Sequence, residues 1–139
     1  MFKNILLAVD GSEHALKAAR LAGEMARLTN ANLWVITSFD PIPAYLGEPN
    51  LSQVIAARTR EAESTLNAAL VEVGQVSGEL KTDILEGPPA EAILKVAAVR
   101  EVDLIVMGTR GLGRLAGALL GSQSQKVVAH ASCPVLLAR

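Results

Sequence analysis

Leu104-Ile-Val-Met-Gly-Thr-Arg-Gly-Leu-Gly-Arg-Leu-Ala-Gly-Ala-Leu-Leu-Gly-Ser122 is the stretch of sequence that decides the fold. Its first four residues are apolar without alternation, and five of the eleven glycines follow between Gly108 and Gly121. A helix-like segment begins at Ser122. Because glycine tolerates positive φ and lets backbone N–H groups approach a ligand closely, this strand–loop–helix unit predicts an anion-binding loop.

Similar apolar runs elsewhere predict strands that are covered on both faces, as in a parallel sheet flanked by helices. The predicted strands are Ile5–Val9, Leu33–Ile36, Leu104–Met107 and Val135–Ala138, with a half-polar one at or near a sheet edge, Leu80–Leu85. Apolar residues at 3–4-residue spacing predict helices after an N-cap at Ser12, over about 51–73, from near Pro88 to Arg100, and from Ser122. With right-handed crossovers, this order predicts an α/β fold, a three-layer doubly wound sheet of five parallel strands flanked by four helices.

Composition narrows the class of protein. With 139 residues and 50% apolar composition, we expect a single domain over 1–139. A net charge of −1 and 3% aromatic residues argue against nucleic-acid binding through phosphate neutralisation or base stacking. The apolar runs are shorter than the roughly 18 residues of a membrane span, and the single Cys133 fits a reducing compartment. We expect a soluble cytoplasmic protein without membrane insertion.

Charge is distributed unevenly along the chain. The last thirty-six residues carry four Lys/Arg (Arg110, Arg114, Lys126 and Arg139) and no Asp or Glu, a formal +4. The first 103 residues carry nine Lys/Arg against fourteen Asp/Glu, a formal −5. Negative charge is therefore kept away from the glycine-rich loop in sequence, as a phosphate site requires.

Two common nucleotide motifs do not fit the loop. A Walker A motif needs a Gly-Lys pair, and the chain has none. Gly111-Leu-Gly-Arg-Leu-Ala116 matches Gly-x-Gly-x-x-Gly/Ala, but that fingerprint follows a first strand and needs an acidic residue about 20 positions later. No acidic residue occurs after Asp103, so we treat this match as chance.

A third pattern fits. Gly108, two residues, Gly111, nine residues and Gly121-Ser122 reproduce the Gly-2x-Gly-9x-Gly-Ser/Thr signature, so the loop resembles that of UspA-type universal stress proteins of the ATP-binding subgroup. Ile5-Leu-Leu-Ala-Val-Asp-Gly-Ser-Glu13 resembles the family's first strand and turn, and Ala131-Ser-Cys-Pro-Val-Leu-Leu137 its closing strand. The resemblance covers the whole length and implies a Rossmann-like, adenine nucleotide alpha hydrolase-like fold. Gln123 departs from it, standing where a small aliphatic residue often follows Gly-Ser.

The resemblance also implies a nucleotide site. Residues at strand ends would contact the nucleoside, namely Ala8, Val9 and Asp10 on the ribose side, Ser38 at the adenine, and Met107 and Gly108 flanking it. Gly111 would let the chain turn around the phosphates. Backbone N–H and hydroxyl donors to the phosphates would come from Gly121, Ser122, Gln123 and Ser124. Arg110 and Arg114 are candidates for contacts with the phosphates. Alternatively, they are ordinary surface arginines exposed to solvent.

The same residues do not predict a dedicated catalyst. Phosphoryl transfer needs positioned cations, a metal-holding carboxylate and usually a base. The loop offers donors but no lysine or acid, and Asp10 is the only carboxylate expected near the ligand. We assign no catalytic residue and no metal-ligating side chain, so Mg²⁺ accompanying ATP would be held through phosphates and water. His14 is expected at the surface.

Three functions stay open at this point. The leading one is an ATP-binding regulatory or stress-response protein that acts through a nucleotide-dependent conformation or partner contact. The others are a weak ATPase or nucleotide hydrolase on the same fold, and an interaction module that binds no nucleotide. The sequence does not decide between ATP, ADP, AMP and a cyclic nucleotide.

The last strand carries a prediction about assembly. In the family's strand order, 135–138 lies at a sheet edge, and it has no charged residue until Arg139. An exposed apolar edge favours aggregation unless it is covered. We expect a homodimer that pairs these edges about a two-fold axis, as the resemblance also implies.

Overall fold

A computed structural model, which describes residues 1–110 and 120–139, shows one parallel sheet with helices on both faces. The strands are β1 (Asn4–Ala8), β2 (Asn32–Phe39), β3 (Leu80–Glu86), β4 (Leu104–Gly108) and β5 (Val135–Ala138). The helices are α1 (Glu13–Thr29), α2 (Asn50–Val73), α3 (Pro89–Val99) and α4 (Ser122–His130), with a short 3₁₀ helix at Ala44–Leu46. The strand order is β3-β2-β1-β4-β5 and every pair is parallel. The predicted α/β architecture is confirmed.

The central strands are buried because helices cover both of their faces. Side chains alternate along β1, so Ile5 and Leu7 pack in the layer of α1 and α2, while Leu6 packs in the layer of α3 and α4. All five residues of β4 are buried as well. The half-polar strand β3 lies at one edge of the sheet, as predicted, and its first four residues are exposed.

Small residues set the close packing of the first helical layer. The buried face of α1 consists almost entirely of alanines, together with Gly23. A Cβ at Gly23 would overlap the carbonyl oxygen of Val73 in the last turn of α2, so the two helices meet there backbone to backbone. Arg27 Nη1 donates to the carbonyls of Val73 at 2.7 Å and Gln75 at 3.0 Å, which fixes the end of α2.

Helix α2 covers the edge half of the sheet through one stripe. Its buried residues, Ala62, Leu66, Ala69 and Val73, recur at the three- and four-residue spacing of one helix face. The rest of its surface is largely exposed and polar. Within the two described ranges, no helix combines the length and the apolar character needed to cross a membrane.

The topology places strand ends and helix starts at one edge of the sheet. Strands β1 and β4 are neighbours, and the chain leaves β1 toward β2 on one side while β4 leads to β5 on the other. Such a switch point leaves a crevice beyond the carboxyl ends of the strands, where ligands bind in open α/β sheets. Helices α1 and α4 both begin beside it.

Candidate functional site

A cleft of about 690 Å³ opens at the carboxyl ends of β1, β2 and β4. This volume lies within the range of roughly 300–1,000 Å³ that is usual for small-molecule sites. Eleven predicted site residues line the cleft, namely Ala8, Val9, Asp10, Ser38, Met107, Gly108, Arg110, Gly121, Ser122, Gln123 and Ser124. The twelfth, Gly111, lies outside the described residues, as does Arg114.

Asp10 organises the turn that leads from β1 into α1. Its Oδ1 accepts a hydrogen bond from the N–H of Ser12 at 3.0 Å, which is a typical aspartate turn. The hydroxyl of Ser12 accepts from the N–H of Ala15 at 3.2 Å, so the predicted N-cap is confirmed. No hydrogen bond from any described residue reaches Asp10 Oδ2, which leaves that oxygen to accept from a ligand in the cleft.

Thr109 closes the base of the glycine-rich loop. Its N–H donates to the carbonyl of Ala138 at 2.8 Å, and its carbonyl accepts from the N–H of Gly121 at 2.7 Å. Its buried hydroxyl lies 2.9 Å from Nδ1 of His14 in the first turn of α1. One residue therefore ties the end of β4 to β5, to the start of α4 and to α1.

His14 was expected at the surface, but the structure shows it half-buried against Thr109. Its ring is anchored by a partner ninety-five positions away in sequence. No local pattern marks such a contact, because it depends on how α1 is laid beside β4.

We expect Thr109→Val to lower stability without changing the size of the buried side chain. The substitution removes the hydroxyl that faces His14 and costs about 1 kcal/mol, the usual net contribution of one hydrogen bond. The melting temperature should fall by about 4 °C in thermal unfolding. Thr59→Val is the matched control, because the hydroxyl of Thr59 bonds only within exposed α2. Equal melting of Thr109→Val and wild type would contradict the role given to Thr109.

The start of α4 presents backbone donors to the cleft. Gly121 is the N-cap residue, and no side chain of the described residues caps it. The N–H of Gln125 makes the first hydrogen bond inside the helix, to the carbonyl of Gly121 at 3.0 Å. The N–H groups of Ser122, Gln123 and Ser124 therefore have no acceptor within the helix.

The serine hydroxyls of α4 differ in availability. Ser124 is buried, and its hydroxyl donates to the carbonyl of Gly108 at 2.9 Å, which holds the helix start against the end of β4. Its hydroxyl proton is thus committed within the protein, contrary to the expectation that it is donated to a phosphate. Ser122 is exposed at the mouth of the cleft, and its hydroxyl is not used in this way.

The expectation that Asp10 is the only carboxylate near the site is wrong. Asp40 and Glu61 also line the cleft. Glu61 forms an ion pair with Arg58 at 3.3 Å on the exposed face of α2, and Arg58 lines the cleft too. Because α2 and the segment after β2 fold over the strand ends, they bring charges that are remote in sequence to the same space.

Of the second wall of the cleft, sequence reasoning predicted only Ser38. That wall consists of the 37–43 segment, one face of α2 (Val54, Arg58, Glu61, Ala62, Thr65) and the start of α3 (Pro89, Ile93). The N–H of Ile42 donates to Oε1 of Glu86 at 3.0 Å, which pins the segment to the end of β3. The helical spacing of the α2 residues was the one available signal, but it does not reveal what the face covers.

Metal ligands are a separate question from nucleotide contacts. In residues 1–110 and 120–139, no three His, Cys, Asp or Glu side chains are grouped to hold a metal ion. The donor set of the cleft is instead rich in backbone N–H groups at a helix start, and this suits an anion.

Comparison with known proteins agrees with the fold. The sequence profile of the universal stress protein family matches residues 1–139. A universal stress protein of Thermus aquaticus is 49% identical over 141 residues, covering 100% of both chains. The solved structure of UspA from Lactobacillus plantarum is 32% identical, with a TM-score of 0.86 over 99% of this chain and 98% of that one.

Two solved structures at 23% identity share the fold and were determined with nucleotides. One is the universal stress protein from Archaeoglobus fulgidus in complex with dAMP, with a TM-score of 0.71 over 100% of this chain and 98% of that one. The other is a universal stress protein in complex with cAMP, with a TM-score of 0.73 over 99% and 97%. By its full-length match to the family profile and its close relatives, this chain belongs to the universal stress protein family.

Proposed function

We propose that this protein binds an adenine nucleotide, ATP in the first place, in the cleft beyond β1, β2 and β4, and acts as a regulatory stress-response protein. The observation that carries the proposal is the uncapped start of α4. Its free N–H groups line the same cleft as Asp10, and that cleft is large enough for a nucleotide. Donors for phosphate and an acceptor for ribose are thus present together.

The phosphate side is supported by the electrostatics of α4. The first-turn N–H groups and the helix dipole both favour negative charge at a helix N-terminus. Arg110 lines the cleft beside them and adds a positive charge. The three donors of Ser122, Gln123 and Ser124 are each worth about 1.5–3 kcal/mol when they meet a charged acceptor.

The nucleoside side is supported by the chemistry of the strand ends. The free Oδ2 of Asp10 is an acceptor for a ribose hydroxyl. Val9, Met107 and Ile93 supply apolar surface on which a purine ring packs. Two distant relatives were solved with dAMP and with cAMP. Both ligands contain adenine, a pentose and one phosphate, and these are the groups that we assign to this cleft.

The cleft supports binding better than catalysis. Arg110 is the one cation of the described residues that lines it at the phosphate side, and no carboxylate lies in the first turn of α4. Asp40 and Glu61 belong to the opposite wall, and Glu61 is already paired with Arg58. We therefore assign Mg²⁺ to the phosphates and water rather than to side chains.

Mass spectrometry of small molecules released from natively purified protein, followed by calorimetric titration, tests the proposal. We expect an adenine nucleotide to be released, and ATP to bind with micromolar affinity, about −8 kcal/mol. ADP, AMP and cAMP titrated in parallel rank the ligands. If no nucleotide is released and ATP produces no binding heat at millimolar concentration, the interaction module without nucleotide is the better account.

Steady-state phosphate release separates the regulatory protein from the weak ATPase. We expect turnover far below the roughly 1–10³ s⁻¹ of dedicated enzymes, because no base is placed at the phosphate side. Turnover well above about 0.1 per minute would favour the weak ATPase.

We also propose that the protein is a homodimer through β5. The carbonyl of Pro134 accepts a hydrogen bond from Ile105 in β4, and the carbonyl of Ala138 accepts one from Thr109 directly after β4. The alternating residues Val135 and Leu137 therefore direct their N–H and C=O groups away from the sheet. The side chains of β5 pack into the two helical layers, and the backbone is what the edge exposes. A second copy related by a two-fold axis would pair with these groups.

Sedimentation velocity at micromolar concentration tests the dimer. We expect wild type to sediment as a dimer and Leu137→Pro as a monomer, because proline removes an outward N–H while the bonds to β4 are kept. Leu137→Ala is the matched control: it shortens the same side chain, retains the N–H and should remain dimeric. A monomeric wild type would overturn the proposal.

A further inference from the structure

The side chain of Gln123 links the starts of two helices at the wall of the cleft. Its Oε1 accepts the N–H of Ala90 at 2.9 Å, in the first turn of α3. Helix α3 has no side-chain cap of its own, since its N-cap residue is Pro88. Gln123, thirty-three positions later in the sequence, therefore caps α3 from α4.

This contact fixes which way the amide group is turned. A backbone N–H can only donate, so the atom that meets Ala90 is the oxygen. The amide nitrogen, Nε2, is then held at the other end of the group with two N–H donors. Among the described residues no acceptor meets Nε2, and Gln123 lines the cleft together with Pro89.

The position of the amide also strengthens it as a donor. Ala90 lies at the positive end of the α3 dipole, and a hydrogen bond accepted by Oε1 polarises the amide so that its N–H groups donate more strongly. The backbone N–H groups at the start of α4 lie on the same stretch of chain and attract an anion to that corner. A neutral donor that is already oriented loses little conformational freedom when an oxygen arrives.

We propose that Gln123 is a specificity-determining residue, whose amide oxygen is held by α3 while its NH₂ group donates to a phosphate oxygen of the bound nucleotide. This inference rests on the proposed nucleotide binding and names a side-chain contact within it. Gln123 raises the affinity for ligands that carry a phosphate, but not the affinity for adenosine. The site discriminates in this way between a nucleoside and a nucleotide without a lysine.

Two substitutions distinguish the role of the amide oxygen from that of the NH₂ group. Gln123→Glu keeps an acceptor for Ala90 but replaces the NH₂ group with a carboxylate oxygen. Gln123→Met has nearly the same length and neither a donor nor a strong acceptor. In calorimetric titration we expect Gln123→Met to weaken AMP binding about tenfold, as loss of one hydrogen bond to a charged group predicts. Gln123→Glu should weaken it further, and adenosine should bind all three proteins equally.

Nuclear magnetic resonance gives a readout that a purely structural role would not move. In ¹⁵N-labelled protein, the side-chain NH₂ signals of Gln123 are identified by their loss in Gln123→Met. We expect them to shift when AMP is added and to stay in place when adenosine is added.

The outcomes distinguish the inference from the proposed function. If Gln123 only caps α3, its substitution weakens AMP and adenosine binding together, and the NH₂ signals do not respond to phosphate; that result overturns the inference alone. If wild type binds neither AMP nor ATP, the proposed function fails and this inference fails with it.

Discussion

Gly121→Val is expected to weaken nucleotide binding by about a hundredfold or more while the protein stays folded. Gly121 lines the cleft immediately before the free N–H groups of α4. A valine side chain there would occupy the space in which a phosphate must approach those groups. Losing two charge-assisted hydrogen bonds weakens binding by about a hundredfold or more.

The fold tolerates this substitution for a conformational reason. The backbone of Gly121 has φ −69° and ψ 163°, an extended conformation that any residue adopts. Its N–H still donates to the carbonyl of Thr109 after the substitution, because valine keeps that group. Valine is a poorer N-cap than glycine, so we allow a loss of about 1 kcal/mol and a fall of about 4 °C in melting temperature.

Calorimetric titration with ATP and thermal unfolding, measured on the same samples, test this prediction. Ala129→Val is the matched control, since it places the same side chain on the exposed face of the same helix, away from the cleft. It should bind as wild type does. Unchanged affinity in Gly121→Val would remove the start of α4 from the site.

Much of the fold was predictable because a strand that is buried on both faces of the sheet has an uninterrupted apolar sequence. Strand β1 needs apolar side chains in both layers, and so reads as an uninterrupted run. Strand β3 is covered less, carries polar residues, and was correctly predicted at an edge. Helix α1 was predictable for similar reasons, with a capping serine before an alanine-rich face.

The candidate site was predictable only where it follows strands and the glycine signature. Local motifs found the residues at the ends of β1, β2 and β4 and at the start of α4. They did not find Arg58 and Glu61, which reach the cleft only because α2 is laid across the sheet, nor Asp40, which lies in the segment directly after β2. The contacts of His14 with Thr109 and of Gln123 with Ala90 also join residues far apart in sequence, and no spacing rule encodes them.

Gly108 shows how a motif residue has a second structural reason to be there. The signature predicts it beside the nucleoside, and it does line the cleft. It also lies directly against the first turn of α1. A Cβ at this position would be 2.7 Å from Cβ of His14, 3.0 Å from the carbonyl carbon of His14 and 3.2 Å from the backbone nitrogen of Ala15. Glycine is therefore required by packing as well as by any ligand.

Gly108→Val is accordingly expected to damage both the fold and the site, in contrast to Gly121→Val. Two of the three close neighbours are backbone atoms of α1, which cannot rotate away as a side chain would. The gain in strand propensity is at most about 1 kcal/mol, whereas overpacking costs up to about 3 kcal/mol.

We expect a net loss of about 2 kcal/mol from Gly108→Val and a fall of about 8 °C in melting temperature. Gly108→Ala places the same Cβ but fewer atoms, and should fall between this variant and wild type. Because the turn from Asp10 to Ser12 must move with α1, affinity for ATP should drop as well. Gly121→Val, which places the same side chain at the other end of the loop, is the internal control for folding. If Gly108→Val and wild type have the same melting temperature, then α1 does not approach β4 as closely as these distances require. The contact between His14 and Thr109 depends on the same approach, so that result would contradict it as well.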